Sequence, residues 1–181
     1  MGQLVRQLSR RKSRGDRASA GNQKTYACTM SVLLSPTDAR ALIWNALVGS
    51  GTSPRNAEYF TDAILDTELS GLEGHGFYWL QYYCAHLLSG KVDGQVVPQV
   101  KPLSDTSFRV DAGCGFAHPA IEAGFKYMIP AAKTHGIAAM GVYNSYNAAT
   151  LGFHTGYLAR AGLLALGATN AVPNLAPVGG K

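Results

Sequence analysis

Three short stretches of this chain hold residue types that could do chemistry. The first is Gly74-His75-Gly76, between two segments of helical pattern. A histidine flanked by glycines has little side-chain cover and can face a cleft. Its imidazole is the side chain best poised to move a proton near neutral pH. The plain alternative is an exposed histidine with no role. The second stretch is NSYNAATLG, residues 144–152, where an apolar run passes into a helical pattern. Free backbone N–H groups and the positive end of a helix meet at such a junction, which suits a phosphate. The plain alternative is a helix capped by Ser145 or Asn147. The third stretch is TNAVPNLAPVGGK, residues 169–181, at the end of another apolar run. Ligands of α/β folds gather off such strand ends, so polar Asn170 is a candidate contact; an ordinary surface loop is the alternative.

Other histidines carry weaker signals. His118 follows GCGFA at a helix start and reads as a surface residue. His86, His135 and His154 lie within or at the ends of helical segments with no partner pattern. The chain has no H-E-x-x-H, no cysteine spacing for a metal, no P-loop, no G-x-S-x-G and no G-x-G-x-x-G, so no metal ligand set is expected. Cys28, Cys84 and Cys114 are an odd number without pattern and read as free thiols of a reducing compartment.

The elements that must position these residues are marked by caps and glycines. Ser35-Pro36 and Ser53-Pro54 are each an N-cap followed by proline at the first helical position. They open TDARALIWNALV, which stops at Gly49-Ser50-Gly51, and RNAEYFTDAILDTELS, which ends at Gly71. The tight connection makes an antiparallel pair. FYWLQYYCAHLLSG is a third helix, ending at Gly90. GQVVPQVKPLSDTSFRVDAGCG reads as two short strands and a loop. Pro119 opens a further helix, which Pro130 should kink and Gly136 should end. IAAMGVYN is a short buried strand, AATLGFHTGYLARAG a helix ending at Gly162, and LLALGATN a second buried strand. Helices alternating with apolar strands indicate an α/β layer architecture.

The 181 residues, 46% hydrophobic and 15% charged, suffice for one ordinary domain, and no apolar run is long enough to span a membrane. The net charge of +5 is uneven: residues 1–30 carry seven basic side chains and one acid, leaving about −1 for the rest. The body therefore offers no electrostatic case for nucleic acid. The domains expected are a basic disordered tail over 1–30, an N-terminal helical segment over 31–90 and an incomplete α/β cofactor-binding segment over 91–181. The tail could also be a basic arm or a mitochondrial transit peptide; otherwise the expected location is the cytoplasm.

The ordered series LDTELSGLEGHG, VDAGCGFAHPAIEAG and THGIAAMGVYNSYNAATLGFHTGYLARAGLLALGATNAVPNLAPVGGK resembles the malate/L-lactate dehydrogenase family unrelated to the Rossmann enzymes. That family also holds ureidoglycolate and sulfolactate dehydrogenases and piperideine-2-carboxylate reductase. The resemblance covers roughly residues 35–181, the front part of such an enzyme. It implies N-terminal helices followed by α/β layers of the sulfolactate-dehydrogenase-like type, apparently truncated. It implies a homodimer using NAD or NADP to reduce a 2-oxo acid, ketone or cyclic imine by hydride transfer. His75 matches the family's proton donor. Asn147, Ala148, Ala149, Thr150 and Leu151 match its dinucleotide-binding stretch, and Asn170 a second cofactor contact.

Departures from the pattern are specific. Gly74 replaces a serine before the histidine, Trp79 stands where an arginine would clamp a substrate carboxylate, and Asn147 replaces a histidine. Trp79, Tyr78 and Tyr146 are then the residues expected at the substrate, with Tyr78 or Tyr146 orienting His75 in place of the lost hydroxyl. The alternative is a diverged or truncated homologue with no redox activity, serving a structural or non-redox role on the same fold.

Overall fold

The computed structural model describes residues 4–6, 32–72 and 74–170. The expectation for the tail lies, apart from 4–6, outside these residues, as does that for the loop over 171–181. Strand β1 (Leu4–Arg6) pairs antiparallel with β2 (Val32–Leu34).

Helices α1 (Pro36–Gly49) and α2 (Pro54–Leu69) start where the serine-proline pairs place them. The hydroxyls of Ser35 and Ser53 accept the N–H groups of Asp38 and Asn56, satisfying donors that the first turn leaves free. Residues 50–53 connect them, and Arg40 reaches Glu58 and Asp62, setting the two helices antiparallel. Helix α3 (Phe77–Leu88) closes the layer. Ala39, Ile43 and Leu47 of α1 meet Phe60 and Ile64 of α2 and Tyr83 of α3 in one core, sealed by Phe116. Asn56 ties this layer to the next segment, its amide donating to the carbonyls of Gly94 and Val96.

Strands β3 (Gln99–Ser104) and β4 (Ser107–Asp111) form an antiparallel hairpin; β5 (Ala139–Tyr143) lies parallel to β4, giving the order β3-β4-β5. Helix α4 (Ala117–His135) is the crossover that a parallel pair requires. Phe108 and Val110 are buried beneath it. Gly124 lets it approach closely: a Cβ there would fall 2.0 Å from the Met140 sulfur and 3.0 Å from Val110. The helix opens at Ala117, two residues before Pro119. Pro130 lies inside it without ending it, and Gly136 terminates it at φ 83°.

Three expectations need correction. Residues 163–170 form no strand; Leu164 and Leu166 project fully into solvent. A strand exists only through a neighbour's hydrogen bonds, and among the described residues none pairs there. Strand β5 is only half covered: Met140 and Val142 face α4, whereas Ala139, Gly141 and Tyr143 are exposed. Helix α5 (Leu151–Arg160) begins three residues later than the pattern indicated. The Asn147 side-chain oxygen takes the Ala149 N–H at 2.6 Å, and Ala149 adopts φ 51°, so this stretch is a turn and not a first helical turn.

Candidate active site

His75 sits exposed in the turn between α2 and α3, its backbone N–H donating to the Leu72 carbonyl at 2.9 Å. The turn is anchored from the end of α2. Glu68 is 7% exposed, and its Oε2 accepts the Phe77 N–H at 2.7 Å, capping the start of α3. Gly76 makes that approach possible, since a Cβ at residue 76 would lie 2.0 Å from the same oxygen.

Thr67, beside Glu68, connects the turn to the second candidate stretch. Its hydroxyl donates to the Ala63 carbonyl at 2.7 Å and lies 2.9 Å from the Thr150 hydroxyl. With its only proton committed to Ala63, Thr67 accepts and Thr150 donates. Thr150 is the N-cap of α5, yet its side chain caps none of that helix's amides. Among the described residues no side chain is seen to accept the first-turn N–H groups of α5, and a Cβ at Gly152 would meet open space. The positive end of a helix with free N–H groups favours an anionic group. The residues present therefore suit the phosphate portion of a dinucleotide.

His154, in the first turn of α5, braces the same loop. Its Nε2 lies 3.1 Å from the Ala148 carbonyl and its Nδ1 3.4 Å from the Tyr59 hydroxyl. A carbonyl only accepts, so Nε2 carries the proton and Nδ1 receives one from Tyr59. Burial lowers the His154 pKa, partly opposed by the bond to Ala148. His118, expected at the surface, is fully buried. Its ring stacks on Phe60 at 4.2 Å and lies 5.1 Å from that of His154. Neither of its nitrogens has a partner, and burial, then His154, hold its pKa well below the usual histidine value.

The remaining candidates divide. Beyond α5, residues 163–167 run back along that helix. Leu163 and Ala165 pack with Leu158, and Gly167 comes against Leu151 and Thr155. Asn170, exposed, is three residues further on. Tyr78 is 47% exposed beside Trp79 and Tyr82 on α3, and Trp79 is half-buried against Tyr82 and Tyr83. Tyr146 is placed elsewhere. Its hydroxyl is 2.5 Å from Nδ1 of His86, with Lys91 Nζ 5.8 Å from its ring centroid. His86 is nine residues beyond Phe77, about 13 Å along α3 at 1.5 Å per residue. Tyr146 thus pins the start of the α5 loop at the end of α3 remote from His75. Among the described residues no group of three metal-ligating side chains occurs, and no helix is long and apolar enough to cross a membrane.

Sequence reasoning missed Glu68 and Thr67, and read Gly76 only as leaving His75 uncovered. The signal for Glu68 was its phase: positions 57, 60, 64 and 68 lie on one stripe of α2, so an acid stands where the core pattern calls for an apolar residue.

This arrangement of helical layer, short sheet and crossover helix is part of the fold of malate and sulfolactate dehydrogenases. Malate dehydrogenase from Entamoeba histolytica matches with a TM-score of 0.68 at 23% identity, over 71% of this chain and 36% of that one. Sulfolactate dehydrogenase from Methanocaldococcus jannaschii matches at 0.64 and 20%, over 68% and 36%. The family model described as malate/L-lactate dehydrogenase matches residues 34–181, and the chain belongs to that family. The (2R)-3-sulfolactate dehydrogenase (NADP(+)) of Chromohalobacter salexigens is 36% identical over 152 residues, 84% of this chain and 45% of that protein. A Delta(1)-pyrroline-2-carboxylate/Delta(1)-piperideine-2-carboxylate reductase of Pseudomonas putida is 31% identical over 154 residues, again 84% and 45%. The chain thus spans a little under half the length of these relatives.

Proposed function

We propose that this chain belongs to an NAD(P)-dependent oxidoreductase that reduces the carbonyl or imine carbon of a small 2-oxo acid, ketone or cyclic imine. The observation that carries the reading is the Thr67–Thr150 contact, 2.9 Å long. It brings the uncapped start of α5, suited to an anion, to the end of α2 from which Glu68 anchors the His75 turn. The nicotinamide cofactor, when bound, supplies a hydride. The stretch Asn147, Ala148, Ala149, Thr150 and Leu151 would hold its phosphate portion, chiefly through amides at the start of α5 because Asn147 already takes the Ala149 N–H, and Asn170 would be a second contact. The protein's own part in the chemistry is a proton: an alcohol or amine product requires one, and the exposed imidazole side chain of His75 is the group to deliver it. Tyr78 and Trp79 at the start of α3 contact the substrate. With Trp79 where the family places an arginine, substrate selection relies on aromatic packing more than on a bidentate carboxylate clamp. A homodimer in the cytoplasm is the proposed setting.

The same substitutions favour one other reading, a homologue without redox activity, because Gly74 and Trp79 remove a hydroxyl and a cation together. Turnover of 2-oxo acids, cyclic imines and simple ketones with NADH or NADPH separates the two. Activity that falls about 100-fold in His75→Ala supports the reductase, given the usual worth of a general acid. Activity surviving within a few-fold removes His75 from the mechanism, and none with any substrate favours the second reading.

A further inference from the structure

The loss of a serine before His75 leaves open what fixes the ring's position. Neither tyrosine considered from the sequence does so by a hydrogen bond: the described structure gives His75 only the backbone contact to Leu72, and Tyr146 is committed to His86. What reaches the turn is Glu68. Its buried carboxylate spans nine residues to the Phe77 N–H, and the chain beside it is Gly76, where a Cβ would collide with that carboxylate.

We propose that Glu68 is the positioning residue for His75, and that Thr67 next to it locks the His75 turn to the loop that opens α5. This rests on the reading of His75 as proton donor. One helical turn of α2 then serves two loops. Glu68 takes a backbone N–H two residues after the histidine, and Thr67 takes the hydroxyl of Thr150 while its own proton is fixed on Ala63. The spacing between proton donor and anion-binding amides is thereby set by a rigid helix end and not by two independent loops. The covalent path is short: Thr67 and Glu68 are neighbours, and Phe77 is two residues from His75.

Amide hydrogen exchange on the intact chain tests this without any turnover. Glu68→Ala should speed exchange at His75 and Phe77 by roughly tenfold or more, because a charge-assisted bond is lost. Glu68→Gln, which keeps a carbonyl acceptor, should restore most of the protection. Thr67→Val should speed exchange at Ala149 and Thr155, and Thr67→Ser should restore it. Core amides of β4 and α4 should be unmoved throughout. Unchanged exchange in Glu68→Ala, a uniform rise across the protein, or failure of the conservative variants to rescue would overturn the proposal. If Glu68→Ala does not fold, Glu68→Gln decides alone: protection retained at Phe77 supports the role and its loss refutes it. His75→Ala should leave the Phe77 amide as in wild type, whatever it does to turnover. A wrong role for His75 and a wrong role for Glu68 thus give separate results.

Discussion

The Tyr59 hydroxyl on α2 donates to Nδ1 of His154 on α5 across 3.4 Å, with the ring of His118 on α4 packed 5.1 Å from that of His154. Three helices therefore meet at two histidines that are buried in the neutral form. Both have folded pKa values below 6.5, chiefly because burial penalises the cation. The unfolded chain takes up their protons first. The stability they permit is complete above about pH 6.5 and is lost as pH falls below it. Each contributes a slope of up to about 1.4 kcal/mol per pH unit while it is protonated only when unfolded. Urea midpoints measured from neutral pH downward should fall accordingly, and His118→Leu should flatten the decline. An unaltered profile in that variant would place the acid sensitivity elsewhere.

Asn56→Asp should destabilise the fold by at least about 2 kcal/mol. The Asn56 amide donates to Gly94 and Val96 at 3.0 and 2.8 Å from a site 5% exposed. Aspartate has no hydrogen to give, so two carbonyls lose their partner and a charge faces them. Denaturant titration measures the cost; a change within 0.5 kcal/mol, the usual scatter of a surface substitution, would show that water replaces both bonds.

Dinucleotide affinity of this chain alone should be weak, with a dissociation constant no tighter than roughly micromolar. A helix N-terminus contributes about 0.3–2 kcal/mol toward an anion, and the described contacts provide one such end. Calorimetric titration with NADH and NADPH decides the point. A sub-micromolar constant for either would mean that these residues make a far more complete site.

Removing residues 1–29 should shift the melting temperature by no more than about 4 °C. The described contact of that region is the pairing of Leu4–Arg6 with Val32–Leu34. A two-stranded ribbon is marginal by itself, and about 1 kcal/mol moves the midpoint of a chain this size by 2–4 °C. A larger drop would show the tail packed on the body.

The sequence alone determined where most helices begin and end. Ser35-Pro36, Ser53-Pro54, Gly71, Gly90, Gly136 and Gly162 act on the turn they belong to, so their meaning needs no knowledge of distant residues. The ordered motifs around His75 and residues 144–152 carried the family. Tertiary structure decided the rest. Residues 163–170 had an apolar pattern fit for a strand but no partner to complete it, because ladder hydrogen bonds come from another segment. His118 looked like a surface residue until α2 covered it with Phe60. Residues 148–150 had helical spacing, yet the Asn147 side chain and the distant Thr67 drew them into a turn. Glu68 read as one acid on a helix; only packing set its carboxylate against Gly76. Caps are satisfied within one turn of chain, whereas burial, strand pairing and the reach of Glu68 depend on which remote segment arrives alongside.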